Sequence, residues 1–171
     1  MAAGKRIWIR DSGPYTALQT YQWQVAAAAT IKEGMFLKQY SAAGEATVIP
    51  FVTGDHTIET DEMIVGLAAD DTTATAAAVG VVNVYVPLPG IVYEGYATTG
   101  TGVDTQAEIN ALCGDQVVLA ISATTDAGDW TIGVAHSAAS AFVIVGGDPV
   151  KKTLWFMVKD DATLLGNSKI T

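Results

Sequence analysis

The chain has 171 residues, half of them hydrophobic and 16% charged, with a formal charge of −9 and an isoelectric point near 4.4. That is the length of one domain, or one domain with an arm, and enough to bury a real core. The composition excludes a disordered acidic tail, and the acidity argues against non-specific binding to nucleic acid or an anionic membrane. A single cysteine, Cys113, and two histidines, His56 and His136, leave no disulfide framework, four-cysteine zinc site or histidine-rich metal centre.

In chain order, residues 1–22 show no clean period and hold Gly4, Gly13 and Pro14, which reads as an extended N-terminal arm ahead of a body of residues 23–171. No apolar run of signal-peptide length follows the basic residues at the start, and the longest apolar stretch is broken by Gly80, Asn83, Pro87, Pro89 and Gly90. A soluble protein is therefore expected. From Trp23 onward the pattern is strand-like. Short apolar runs at 35–38, 47–52 and 63–68 are separated by Gly, Ser, Asp and Thr, and Val79–Val86 is the strongest strand. Pro87-Leu-Pro-Gly90 turns the chain into a strand over 91–96, predicting a hairpin or corner, because proline donates nothing to a ladder. Further strands are expected at 116–121, 130–135, 141–145 and 153–158. Thr105-Gln-Ala-Glu108 has capping-box spacing and Gly114 stands where a helix ends, so one short helix is expected at about 105–113. The fold class is all-β: a small barrel or sandwich-like body, with a possible subdivision near 98–104.

The charges are unevenly placed. No basic residue lies between Gln39 and Val150, while 14 of the 18 acids fall there. This reads either as an acidic soluble surface or as a polarised molecule whose basic end meets an acidic partner, where charge steers encounter and register. Lys5, Arg6 and Arg10 sit in sequence among Trp8, Tyr15, Tyr21 and Trp23, and aromatics with arginine are the residue types of interface cores.

No phosphate loop, dinucleotide fingerprint, nucleophile elbow or zinc-protease motif is present. Ser137 and Ser140 near His136 carry no evidence of a convergent triad. Cys113 reads as a small buried hydrophobe, and the acidic groups at 59–62, 70–71 and 126–129 read as turns that lack the calcium-loop pattern. No cofactor and no metal are expected. An internal echo pairs Ala29–Leu37 with Ala111–Leu119, and Val65-Gly-Leu-Ala68 with Ile132-Gly-Val-Ala135. Its spacings are unequal, so it fits two similar hairpins somewhat better than an old duplication.

The succession Ile31–Leu37, Ile64–Ala68, an Ala/Thr/Asp loop over 70–78, then Val82–Val92 resembles head decoration (cement) proteins of tailed bacteriophages, over about residues 25–98. The resemblance implies a small β-rich, non-enzymatic virion protein on the capsid exterior, made in the host cytoplasm. It further implies a homo-oligomer, a trimer by preference, that stabilises the shell by bridging major capsid subunits with an N-terminal segment. Lys5, Arg6, Trp8, Arg10, Tyr15 and Tyr21 are the capsid-binding residues so expected, with no nucleic acid and no membrane as partner. Residues 99–171 exceed what such a protein needs. The alternative is a tail, fibre or adhesin component with a carbohydrate-binding face on Trp130 or Trp155.

Overall fold

A computed structural model describes residues 6–40, 47–51, 63–75, 80–98, 102–121, 130–136 and 140–163. In chain order the strands are β1 (Trp8–Asp11), β2 (Thr20–Val25), β3 (Thr30–Ile31), β4 (Phe36–Tyr40), β5 (Thr47–Pro50), β6 (Ile64–Ala68), β7 (Thr72–Thr73), β8 (Gly80–Tyr85) and β9 (Val92–Ala97). Helix α1 (Gln106–Leu112) follows, then β10 (Gln116–Ile121), β11 (Trp130–His136), β12 (Phe142–Asp148), β13 (Thr153–Val158) and a 3-10 turn at Asp160–Ala162. No described helix is long and apolar enough to cross a membrane.

The all-β expectation holds, and the chain forms two compact units, with boundaries in the described residues after Pro14, Leu88 and Lys159. The first barrel is the closed ring β2-β5-β4-β6-β8. The second runs β9-β11-β10-β12-β13, and pairing of β13 back onto β9 closes it, with β1 added alongside β9. Period-two patterning makes each wall. In β8, Val82 and Val84 are fully buried while Val81 just before them is half exposed, and in β13 Leu154 and Phe156 point inward. Tyr93 stacks on Phe156, which meets Phe142 edge to face, and these rings fill the second barrel.

The two rings are the same ring. Each joins its first and third strands in parallel and every other pair antiparallel. Register agrees as well as order. Val25 opposite Val48 answers Ala97 opposite Ile132, and Gln39 opposite Val48 answers Leu119 opposite Ile132. Leu37–Gly66 then answers Val117–Phe142, Ala68–Val84 answers Ile144–Phe156, and Gln24–Val81 answers Tyr96–Thr153, which returns to the starting strand. Matching loop bonds follow. The Gly34 N–H donates to the Ala68 carbonyl and the Ala68 N–H to that of Met35, as Gly114 donates to Ile144 and Ile144 to Asp115.

The echo is thus a repeat of a whole barrel, and the reading as two similar hairpins gives way to it. Gly34 and Gly114 were matched correctly. Ile-Gly-Val-Ala at 132–135, however, lies in β11, the third strand of its ring, whereas Val-Gly-Leu-Ala at 65–68 lies in β6, the fourth. Side-chain identity misled there because both strands are short, apolar and centred on glycine. In the first barrel that glycine, Gly66, has φ +153, and a Cβ would lie 2.1 Å from the Tyr85 carbonyl oxygen.

Other expectations shift for stated reasons. Within the expected arm, residues 8–11 form β1 and residues 20–22 begin β2, and Trp23, the expected start of the body, lies inside β2. β8 and β9, read as a hairpin or corner, do not pair as a hairpin and belong to different rings, with the Pro87–Gly90 turn marking the passage between them. The helix forms where expected: Thr105 caps it, its hydroxyl accepting from the Glu108 N–H while the Glu108 carboxylate accepts from the Thr105 N–H. Gly114 follows at φ +93, the left-handed conformation that closes a helix. Ile109 is its buried anchor, against Gly147 of β12. Cys113 is exposed instead of buried, because it sits at the C-cap with its thiol turned to the Ile109 carbonyl.

Candidate functional site

The equivalence of the two rings directs attention to β2 and β9, which hold the same place. Alternate residues of a strand point their backbone groups to the same side. The Ala26 N–H donates to Val48 of β5 and the Thr98 N–H to Ile132 of β11, so the even-numbered residues of both strands face that side. Among the described residues, β5 pairs with β2 at Gln24 and Val25, and β11 pairs with β9 at Tyr96 and Ala97. Beyond those points the barrels differ. Along β9 the open stretch is taken by β1, with Trp8 opposite Glu94, Ile9 opposite Tyr93 and Asp11 opposite Val92. Along β2, Thr20–Trp23 have no strand on that side among the described residues.

Exposure follows. Tyr93 is 1% exposed, whereas Tyr21, at the same register position, is 55% exposed. Tyr21, Trp23 and Val25 share the barrel-facing side of β2, but only Val25 is covered. Tyr21 and Trp23 instead line a cleft of about 670 Å³ with Tyr15, Leu18, Val86 and Leu88. None of the described residues lining this cleft is charged.

The covered edge has a charged lock. The Glu94 carboxylate, 4% exposed, accepts from the Arg10 guanidinium at 2.8 Å and from the Thr153 hydroxyl at 2.6 Å. Burial alone would raise the Glu94 carboxyl, but these two donors together outweigh it and hold it below the usual carboxylate range. Arg10 also lies 3.7 Å from the Trp155 ring centre, a cation–π contact. Burial pushes the Tyr93 phenol above its ordinary range.

The six residues expected to bind a capsid fall as follows. Lys5 lies outside the described residues. Arg6 is exposed. Trp8 is 37% exposed and meets Tyr96 edge to face. Arg10 is engaged by Glu94 and Trp155, so it holds β1 in place. Tyr15 and Tyr21 come together in the cleft of the first barrel. Sequence reading missed β2 as a strand, although Tyr21, Trp23 and Val25 alternate with Gln22 and Gln24, the signal that would have found it.

The separation of charges along the sequence is partly undone by folding. Flanking bases pair with acids of the middle: Arg10 with Glu94, Lys32 with Asp71, Lys151 with Asp148, and Lys152 with Asp104. The acids at 70–71 tie the chain together. Asp70 accepts from the backbone and side-chain amides of Asn83, and Asp71 accepts from the Glu33 N–H. The groups at 59–62 and 126–129 lie outside the described residues. His136 faces Asp115 at 3.5 Å with both side chains exposed, and Ser140 is buried, donating to the Val117 carbonyl. No group of three or more metal-ligating side chains forms among the described residues. No protein-family model, no curated protein and no solved structure matches the chain.

Proposed function

We propose that this chain is a non-enzymatic structural protein of a tailed-phage virion, a head decoration protein that stabilises the shell by docking on the major capsid protein and by self-association. The supporting observation is where the resemblance falls. The matched stretches 31–37, 64–68 and 82–92 overlap β4, β6 and β8, three strands of one closed ring, and the last runs past Leu88 to the start of β9. Strands β10 to β13, within the extra length after residue 98, belong to the second barrel, which repeats that body. Exposed aromatics, Trp8 on β1 and Tyr21 on β2, suit docking to a protein surface.

The test is co-sedimentation of the full chain with decoration-free shells, with the oligomeric mass measured in the same sample. A trimer that pellets with shells at saturable stoichiometry supports the reading, and a chain that stays in the supernatant overturns it. Deletion up to Trp23 is unsuitable as a probe of the N-terminal segment, because it removes β1 and cuts into β2. The sugar-binding alternative loses one of its two platforms: Arg10 lies across the Trp155 ring and the indole N–H is buried.

A further inference from the structure

We infer that the open edge of β2, with the cleft beside it, is a docking site for an extended, uncharged strand of a partner protein, added to the first barrel as β1 is added to the second. The argument is internal to the chain. The same strand in the same ring carries an added strand in one barrel and none in the other among the described residues. The vacant stretch presents outward-facing backbone groups at Thr20 and Gln22 and an apolar wall at Tyr21 and Trp23. Strand addition uses these two elements, main-chain bonds for affinity and side-chain pockets for selectivity.

Charge selects the occupant. β1 brings Arg10 to Glu94, and the residue of β2 in the position of Glu94 is Gln22, which is neutral. The described lining of the cleft is uncharged, so a charged strand would lose solvation there with no counter-charge among the described residues to meet it. The fitting occupant is an extended segment with an aliphatic residue at every second position and amide or hydroxyl side chains between. This chain's own β1 sequence, with Arg10 and Asp11, does not match that description.

The probe is a capped seven-residue peptide, Thr-Ile-Thr-Ile-Gln-Val-Ser, patterned on residues 6–12 with Trp8 and the three charged side chains replaced so that it meets that description. Titrated into the full-length protein, it is expected to bind saturably, shift the Thr20 and Gln22 amide resonances and slow their hydrogen exchange. Gln22→Pro removes an outward N–H at a position where an edge strand tolerates proline, and leaves the odd-numbered donors to the β8 ladder intact. It is expected to weaken the peptide about tenfold or more. Tyr21→Ala, which touches no ladder bond, is the companion variant and should weaken it too. Absence of saturable binding, or binding that neither variant changes, overturns the inference. So does a homodimer that Gln22→Pro splits, since the occupant is then a second copy. Shell pelleting without peptide binding sinks this inference and spares the decoration reading, and peptide binding without pelleting does the reverse.

Discussion

The two barrels make a controlled comparison within one chain. Strand order, parallel pair and register agree around both rings, yet Tyr93 is covered and Tyr21 is not. The ring itself therefore does not decide what its first strand does. What decides, among the described residues, is whether another segment lies against the part beyond the pairing with the third strand. In the second barrel β1 covers it, and Glu94, Arg10, Thr153 and Trp155 fasten the cover. In the first barrel Gln22 stands in the corresponding place and the aromatic side chains face a cleft. The connection after the first strand differs too: the second barrel uses α1, the first a two-residue strand pair, β3 with β7.

The largest expected effect tests whether the barrels are separate cooperative units. Phe156→Ala removes a fully buried ring that touches Tyr93 and Phe142. It should cost the second barrel about 3–5 kcal/mol in denaturant unfolding. Tryptophan fluorescence and resolved amide signals should show Val82 and Val84 of the first barrel unchanged. A shift of both barrels together would mean that they unfold as one.

Next comes the charged lock. Glu94→Gln should destabilise the second barrel by roughly 1–3 kcal/mol, since a charge-assisted bond to a buried group is lost. The sign of its pH dependence follows from the lowered carboxyl. Its stabilisation is complete above the ordinary glutamate value of 4.5 and is lost as pH falls through the lower folded value. Stability measured from pH 6 downward should fall less steeply in Glu94→Gln than in the parent protein. An equal slope would remove Glu94 from the account.

A third measurement reads the comparison directly. The Gln22 amide should exchange with solvent on the order of a hundredfold faster than the Glu94 amide, which faces Trp8 across β1. Equal protection would mean that the β2 edge is already covered in solution. The smallest effect concerns α1: Thr105→Ala should cost about 1 kcal/mol by removing the hydroxyl that accepts from the Glu108 N–H. That loss should appear in the second barrel alone.

Much of the fold was legible because it is local. Val82 and Val84 alternating with Val81 and Asn83 announce a strand, and Thr105, Glu108 and Gly114 announce a helix with both its ends. β1 was not legible: Trp8-Ile-Arg-Asp11 has no strong strand pattern, and its order comes from β9 and from Glu94, 84 residues beyond Arg10. The candidate site was half legible. Tyr15 and Tyr21 stand in the sequence as interface aromatics and the fold places both in one cleft, whereas Arg10, read with them, is engaged elsewhere by Glu94.

Sequence alone determined where strands and the helix form, because side-chain period, caps and turn residues act over a few neighbours. Tertiary structure decided that the strands close into two matching rings, which acids meet which bases, and which strand edge stays open. Those outcomes depend on which distant segment lies alongside, and no local pattern carries that information.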